Sequence, residues 1–166
     1  MRNPPWSRDE LIVTLDFYLR YTPTIPGKTS HEISELSDFL NHLQSRMGGD
    51  LPDKFRNING VYMKLMNFRR FDPDYDGTGL QRGGKDEEVV WNRYSSKPDE
   101  LRKVSDTIRS LVSSDTLIPP KEVISDDDEE GEEGQILTRI HRYRERDTKL
   151  VKRKKERVLK ENGTLS

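Results

Sequence analysis

The sequence contains no cysteine, which removes several kinds of site at once. Disulfide bonds, thiolate zinc ligands and cysteine nucleophiles are all excluded. The three histidines, His31, His42 and His141, have neither metal-site nor catalytic-triad spacing. The residues themselves therefore predict no catalytic centre, no resident metal and no small-molecule cofactor.

Apolar residues and long apolar runs are also scarce. Only 31% of the 166 residues are hydrophobic, against roughly 45–50% in ordinary globular chains. No run approaches the ~18 apolar residues that a membrane-spanning helix requires, and the first residues lack the apolar segment of a signal peptide. We therefore expect a cytoplasmic protein without a membrane partner, of which only part forms a packed core.

Charge is abundant but unevenly distributed. Residues 1–125 carry 18 basic and 19 acidic side chains. Residues 126–133 contain seven acids and no apolar side chain, a composition typical of a solvated linker. Residues 136–160 contain eleven basic side chains against three acidic ones. This pattern divides the chain into a folded body at 5–118, an acidic linker at 119–135 and a basic arm at 136–162.

The first two helices of the body are predicted by their N-terminal signals. Ser7 and Glu10 have the spacing of a capping box, in which the hydroxyl accepts a backbone N–H and the carboxylate reaches back to the cap. Thr29 and Glu32 repeat that spacing. Apolar residues follow each signal at intervals of three and four, so each helix has an apolar face that requires a partner.

Three more helices complete the predicted body. Apolar pairs after Gly60 predict a third helix to about Arg70, a short fourth helix passes through Tyr94, and Pro98 suits the first turn of a fifth. No segment alternates convincingly with period two, although the stretch 72–85 has room for a β-hairpin. The expected fold is mainly α: a small domain of about five helices, followed by an acidic linker and a basic helix.

Two motifs in this stretch have the outline of ligand-binding loops. Residues 72–77 open like a calcium loop, but Gly83 occupies the twelfth position, where a bidentate Glu is required. Residues 79–86 differ by one residue from a phosphate-binding P-loop, because Asp86 replaces the Ser or Thr that coordinates magnesium. An acidic turn and a flexible glycine loop are the favoured interpretations.

Residues of the predicted third helix form a candidate recognition face. Lys64, Asn67 and Arg70 stand at i, i+3 and i+6 and share its polar side. Lys and Arg can contact phosphates there, and Asn can read a base edge. A solvated helix face is the equally weighted alternative, and nearby aromatic residues are favoured as core. The neighbouring candidates for DNA binding are Arg56, Arg82 and Lys85.

The basic arm is the second candidate DNA-binding surface. As a helix, its 25 residues would extend about 37 Å, and its excess charge favours salt-sensitive binding to phosphates. Two alternatives remain open: a solvated helix with internal ion pairs, or an arm neutralised by its own acidic linker. The candidate residues of the arm are Arg139, Arg142, Arg144, Arg146, Lys152, Arg153, Lys154 and Lys155.

One pattern extends over nearly the whole chain: residues 5–11, 55–70, 79–85 and 137–147, continued by the Lys-rich stretch up to Gly163. It resembles the N-terminal head region of bacterial HNH endonucleases, the group related to McrA-like, modification-dependent restriction enzymes. In that family the basic segment leads into a zinc-supported HNH domain that opens with a Cys-x-x-Cys pair. The sequence ends at Ser166 without positions that match those ligands or the general base, so no catalytic residue is carried over.

The resemblance implies a DNA-associated head that binds or positions DNA and is inactive as a nuclease by itself. Zinc or magnesium would be bound only if an HNH domain were supplied. The implied partners are DNA, together with a partner nuclease domain or a second copy of the chain. The alternative is a protein-interaction module that pairs with a separate nuclease or partner chain. Its binding would depend weakly on salt, whereas binding to phosphates falls steeply with salt.

Overall fold

The computed structural model describes residues 3–49, 51–75, 84–121 and 131–162, and only the backbone of 155–162. These residues form six α-helices and no strand, which confirms the predicted mainly α fold. None of the described helices has the length and apolar character needed to cross a membrane. The helices are α1 (Arg8–Tyr21), α2 (His31–Arg46), α3 (Ile58–Arg69), α4 (Lys85–Tyr94), α5 (Pro98–Ser113) and α6 (Gln135–Asn162).

Helix α1 is the central helix of the body. It begins with the predicted capping box: the Ser7 hydroxyl accepts from the Glu10 backbone N–H, and the Glu10 carboxylate accepts from the Ser7 N–H at 3.0 Å. Every residue from Asp9 to Tyr18 is buried, because α1 packs against each of the other helices. The single apolar face predicted from sequence therefore underestimates how much of α1 is enclosed.

Helix α2 begins after a different cap from the one predicted. Its N-cap is Ser30, whose hydroxyl accepts from the Ile33 backbone N–H at 3.3 Å. The predicted capping box of Thr29 with Glu32 is therefore wrong. The reason lies in the preceding turn, where the Ser30 N–H donates to the Gly27 carbonyl at 2.9 Å. Ser30 then has the extended backbone that a cap residue requires.

The remaining body helices begin close to their sequence signals. The side chain of Asn57 caps α3 by accepting from the Gly60 N–H at 2.8 Å. Pro98 lies in the first turn of α5, where its missing N–H has no cost. Side chains from these helices meet α1 in one core, whose fully enclosed members include Leu40, Leu65, Phe68, Val90, Tyr94 and Ile108.

The first turns of α6 belong to the body, which changes the predicted division of the chain. Ile136 is fully buried, and Ile140 packs against the core. Pro119 and Gly134, inside the predicted linker, are buried as well. The core therefore includes the beginning of the predicted arm, and parts of the predicted linker are enclosed by the body.

A buried carboxylate holds the start of α6. Asp9 accepts the Gln135 N–H at 2.7 Å and the Ile136 N–H at 3.1 Å. A negative charge is stabilised there because the helix N-terminus carries the positive end of the helix dipole. Gly134 has a φ of +95°, and a Cβ on it would lie 2.7 Å from the Asp9 carboxylate, so both backbone and space require glycine.

The motifs predicted between residues 72 and 86 are only partly described. Residues 76–83, which contain most of the glycine loop and of the possible hairpin, lie outside the described residues. Asp72, the first residue of the calcium-like motif, accepts from the Tyr18 hydroxyl at 2.7 Å and from the Asp74 N–H at 2.9 Å. Its carboxylate therefore joins the loop to α1.

Candidate nucleic-acid interface

Beyond residue 140, α6 continues as an exposed basic helix. Of residues 141–154, all are exposed except Arg142, which is half-buried. These residues carry seven Lys or Arg side chains and two acidic ones. The predicted basic helix is therefore present, and its exposed part starts one turn later than the boundary predicted from composition.

Four of the seven basic residues lie along one side of the helix. Arg142, Arg146, Lys149 and Arg153 follow one another at intervals of four, three and four residues, and residues so spaced share a helix face. We call these four residues the basic stripe. It is about 16 Å long, since each helical residue advances 1.5 Å. The candidates predicted from sequence omitted Lys149, although the helical period of the charges was a sufficient signal for it.

Most of the basic stripe has no carboxylate partner in the described structure. Arg142 forms an ion pair with Glu145 at 3.1 Å. No carboxylate of the described residues lies within 4.0 Å of the cationic atoms of Arg146, Lys149 or Arg153. Among the residues that the structure describes, these three charges are therefore not neutralised by a carboxylate.

The described end of the acidic segment binds the body. The Glu132 carboxylate accepts from Arg93 Nε at 2.7 Å, and the Glu132 carbonyl accepts from the Tyr94 hydroxyl at 2.9 Å. Hydrogen bonds to Glu100 and Glu132 raise the pKa of Arg93, and the bond from Arg93 lowers the pKa of Glu100. Glu132 is therefore engaged by the body, whereas residues 122–130 lie outside the described residues.

Arg56, a predicted DNA-binding residue, is enclosed by the protein. It is 4% exposed, and its Nη2 donates to Glu10 Oε1 at 3.1 Å. The same nitrogen donates to the carbonyl oxygens of Pro4 and Pro5 at 2.9 and 3.1 Å. The Arg56 carbonyl accepts from the Ser37 hydroxyl at 2.6 Å. Arg56 therefore joins the N-terminal segment, α1 and α2, and its guanidinium has no path to a phosphate.

Lys64 and Arg139 are also occupied within the protein. Lys64 forms an ion pair with Glu87, and its side chain is 14% exposed. Arg139 is 3% exposed and donates to the Met47 carbonyl at 3.3 Å and to the Gln135 side chain at 3.1 Å. The polar face predicted for the third helix is thus partly the contact between α3 and α4.

The other predicted residues off the basic stripe fall into four groups. Asn67 on α3 and Arg70, the residue that follows α3, are half-buried, and the Arg70 guanidinium lies 4.2 Å from the centre of the Phe71 ring. Lys85 is exposed at the start of α4. Arg82 and the side chain of Lys155 lie outside the described residues. The exposed residues of α6 that stand off the basic stripe are Arg144, Lys152 and Lys154.

The aromatic residues near α3 mainly serve the core. Phe68 is fully buried, 6.5 Å from Trp91 and 6.3 Å from Tyr18 between ring centres. Trp6 packs against the core, with the Arg56 guanidinium 4.5 Å and the Lys64 ammonium 5.1 Å from its ring centre. Their assignment to the core is confirmed, and these rings are engaged by protein groups.

Sequence patterns did not single out Arg109. It lines a cleft of about 270 Å³ together with Arg20, Tyr21 and Glu35. Burial lowers the pKa of Arg109, whose guanidinium lies 4.7 Å from the centre of the Phe39 ring. The cleft combines both signs of charge, so it shows no preference for an anion comparable to that of the basic stripe.

The described residues contain no group of three or more His, Asp or Glu side chains that could hold a metal ion. No family model, no curated protein and no solved structure matches the chain. The assignment of a candidate interface therefore depends on the geometry and charge of α6.

Proposed function

We propose that the chain is a cytoplasmic, DNA-associated region of an HNH-type restriction endonuclease, which binds or positions DNA through the basic stripe of α6. The observation that carries the proposal is a line of four cations on an exposed helix, three of them without a carboxylate partner among the described residues. The resemblance of residues 5–11, 55–70, 79–85 and 137–147 to HNH head regions favours DNA as the anion.

The dimensions of the stripe suit a duplex. B-DNA carries one negative charge for about every 1.7 Å of its axis, so a segment of about 16 Å presents roughly nine phosphates. Four contacts would give a slope of about −3.6 for the logarithm of affinity against the logarithm of salt concentration. Affinity should then fall roughly 150-fold between 50 and 200 mM salt.

The body determines how bound DNA is presented. Because Asp9 caps α6 and Ile136 is buried, the start of the helix is fixed to α1. DNA bound along the stripe is therefore held at a defined distance from the body, as a positioning role requires. The proposal includes contacts to phosphates only, and such contacts carry no sequence information by themselves.

Two matched double variants test the stripe. Arg146→Gln with Lys149→Gln removes two stripe cations, whereas Arg144→Gln with Lys152→Gln removes one Arg and one Lys from other sides of the same helix. Both variants lose the same charge. In fluorescence anisotropy with a 20-base-pair duplex, the stripe variant should reduce the salt slope by about 1.8. The control should change it much less.

Three results would contradict this assignment. Equal effects of the two variants would show that net charge acts without a defined stripe. Absence of duplex binding by the unaltered chain at 50 mM salt would remove the DNA-binding role. Salt-insensitive binding to a separate nuclease chain would instead support the protein-interaction alternative.

The link to HNH endonucleases has a separate test. We expect the nucleotide sequence downstream of the Ser166 codon to encode a Cys-x-x-Cys pair and an HNH pattern. Absence of that pattern would contradict the nuclease assignment. The DNA-binding proposal would still be tested by the salt titration.

A further inference from the structure

The side of α6 that packs on the body continues as an apolar stripe into its exposed part. Ile136 and Ile140 contact the core, and Tyr143 and Leu150 follow on the same side, with Val151 beside them. Yet Tyr143, Leu150 and Val151 are 48%, 62% and 48% exposed. We call these three residues the apolar stripe. Large apolar side chains grouped on an exposed surface are typical of a protein contact.

Two opposite charges interrupt the apolar stripe. Asp147 stands four residues after Tyr143, and Lys154 stands four residues after Leu150, so both lie on the same side of the helix. Both are exposed, and neither forms an ion pair within the described part of the chain. Their midpoint falls between Leu150 and Val151.

We propose that this part of α6 pairs with α6 of a second copy of the chain, antiparallel, about a twofold axis between residues 150 and 151. Asp147 of each copy then faces Lys154 of the other, and the Leu150 and Val151 side chains of both copies meet at the centre. A parallel, in-register pair would place Asp147 opposite Asp147 and Lys154 opposite Lys154. Because like charges oppose pairing and unlike charges favour it, the pattern selects a second copy and one orientation.

The placement of the body leaves room for residues 141–160 of both helices, whereas residues 161 and 162 align with the part of α6 that the body covers and must turn away from it. An axis between residues 150 and 151 aligns residue 141 with residue 160 of the second copy, an overlap of about 30 Å. The two bodies then lie at opposite ends of the helix pair. The body covers one side of α6 as far as Ile140. Beyond Ile140 that side is open, and the partner helix packs there.

The pairing would also combine the two basic stripes. The basic stripe lies roughly a third of a turn around α6 from the apolar stripe, and the twofold axis keeps equivalent residues on the same side of the pair. Their mutual repulsion opposes association at low salt and is screened at high salt. This combined surface rests on the DNA binding proposed above, whereas the pairing itself does not.

Charge exchange tests the pairing without DNA. Sedimentation equilibrium of the full chain should show a monomer–dimer equilibrium that strengthens between 50 and 500 mM NaCl. Asp147→Lys and Lys154→Asp each place like charges at both symmetric contacts and should raise the dissociation constant roughly tenfold or more. The double exchange, Asp147→Lys with Lys154→Asp, should return it to within about threefold of the unaltered chain.

Engineered cysteines test the orientation, since the chain has none of its own. Leu150→Cys places two thiols next to the axis and should form a covalent dimer on oxidation. Tyr143→Cys should not, because antiparallel pairing separates the two copies of residue 143 by about 22 Å, and a disulfide requires Cα atoms within about 7 Å. Crosslinking of Tyr143→Cys would support a parallel pair and overturn the proposal.

Two further results would also overturn it: a chain that remains monomeric at 200 µM in both salts, or a double exchange that fails to restore association while helix content by circular dichroism is unchanged. Absence of duplex binding by an unaltered chain that still dimerises would contradict only the proposed function. The two failures are therefore distinguishable.

Discussion

Replacement of Asp9 by alanine should loosen the start of α6 from the body. The Asp9 side chain is fully buried and accepts the backbone N–H groups of Gln135 and Ile136, at 2.7 and 3.1 Å. Alanine removes both acceptor contacts and the negative charge at the helix N-terminus. It also leaves two backbone donors without the carboxylate in a region where water is largely excluded.

The expected cost follows from these contacts. Loss of an N-cap side chain costs about 0.5–2 kcal/mol, and loss of a charged acceptor from a partly buried helix terminus costs up to about 2 kcal/mol. These contributions overlap, because the same two hydrogen bonds carry both. We therefore expect Asp9→Ala to lower the free energy of unfolding by about 2–3 kcal/mol, with the loss concentrated where α6 joins α1.

Hydrogen exchange distinguishes this local effect from general destabilisation. Amides of residues 135–140 should exchange faster in Asp9→Ala, whereas amides of α2 should keep most of their protection. Asp38→Ala is a suitable control, because it removes an exposed acid from α2 and leaves α6 untouched. An Asp9 variant whose unfolding free energy lies within about 0.5 kcal/mol of the unaltered chain, with unchanged exchange at 135–140, would refute the reasoning.

Two other substitutions test the interior of the body. Glu10→Gln leaves the Arg56 guanidinium buried without its carboxylate and should lower the free energy of unfolding, measured in urea, by about 3 kcal/mol or more. The control Glu88→Gln changes an exposed residue and should have little effect. Equal effects would contradict the role of the buried pair. Burial and the hydrogen bond to Asp72 raise the pKa of Tyr18. The contribution of the neutral Tyr18 hydroxyl to folding stability is therefore complete below about pH 10 and is lost as the pH rises towards the higher pKa of the folded state. In urea titrations between about pH 10 and 11.5, Tyr18→Phe should therefore lose less stability than the unaltered chain, and parallel losses would contradict this assignment.

Helix positions were largely predictable because their starts depend on nearby residues. Ser7 with Glu10, and Pro98, each act within one turn of the helix they begin. The prediction at α2 was wrong because Thr29 and Ser30 are adjacent candidates with similar hydroxyls. The hydrogen bond from the Ser30 N–H to Gly27 accompanies the cap that forms, and no pattern of capping residues contains that information.

The boundary between body and arm was harder to predict because it depends on distant contacts. Composition assigns residues 119–135 to a linker, since their acids dominate their few apolar residues. Ile136 nevertheless enters the core, and its N–H binds Asp9, 127 positions earlier in the chain. A single isoleucine before a basic run is not a recognisable core signal, so only the three-dimensional contact shows where the body ends.

The candidate site shows the same distinction. Arg56 and Lys64 were plausible phosphate ligands because a basic residue has the same sequence signature whether it is exposed or paired internally. Their partners, Glu10 and Glu87, lie 46 and 23 positions away. The basic stripe instead depends only on the helical period along one element, so Lys149 was predictable from the spacing of its neighbours.

The first turn of α1 links the parts of the molecule that set the direction of α6. Asp9 and Glu10 are consecutive, and consecutive helical residues point about 100° apart. Asp9 can therefore cap α6 while Glu10 holds Arg56, which in turn binds the carbonyls of Pro4 and Pro5. Each carboxylate has partners in a different distant segment, so neither can replace the other. One buried turn thus orients both the N-terminal segment and the helix that carries the basic stripe.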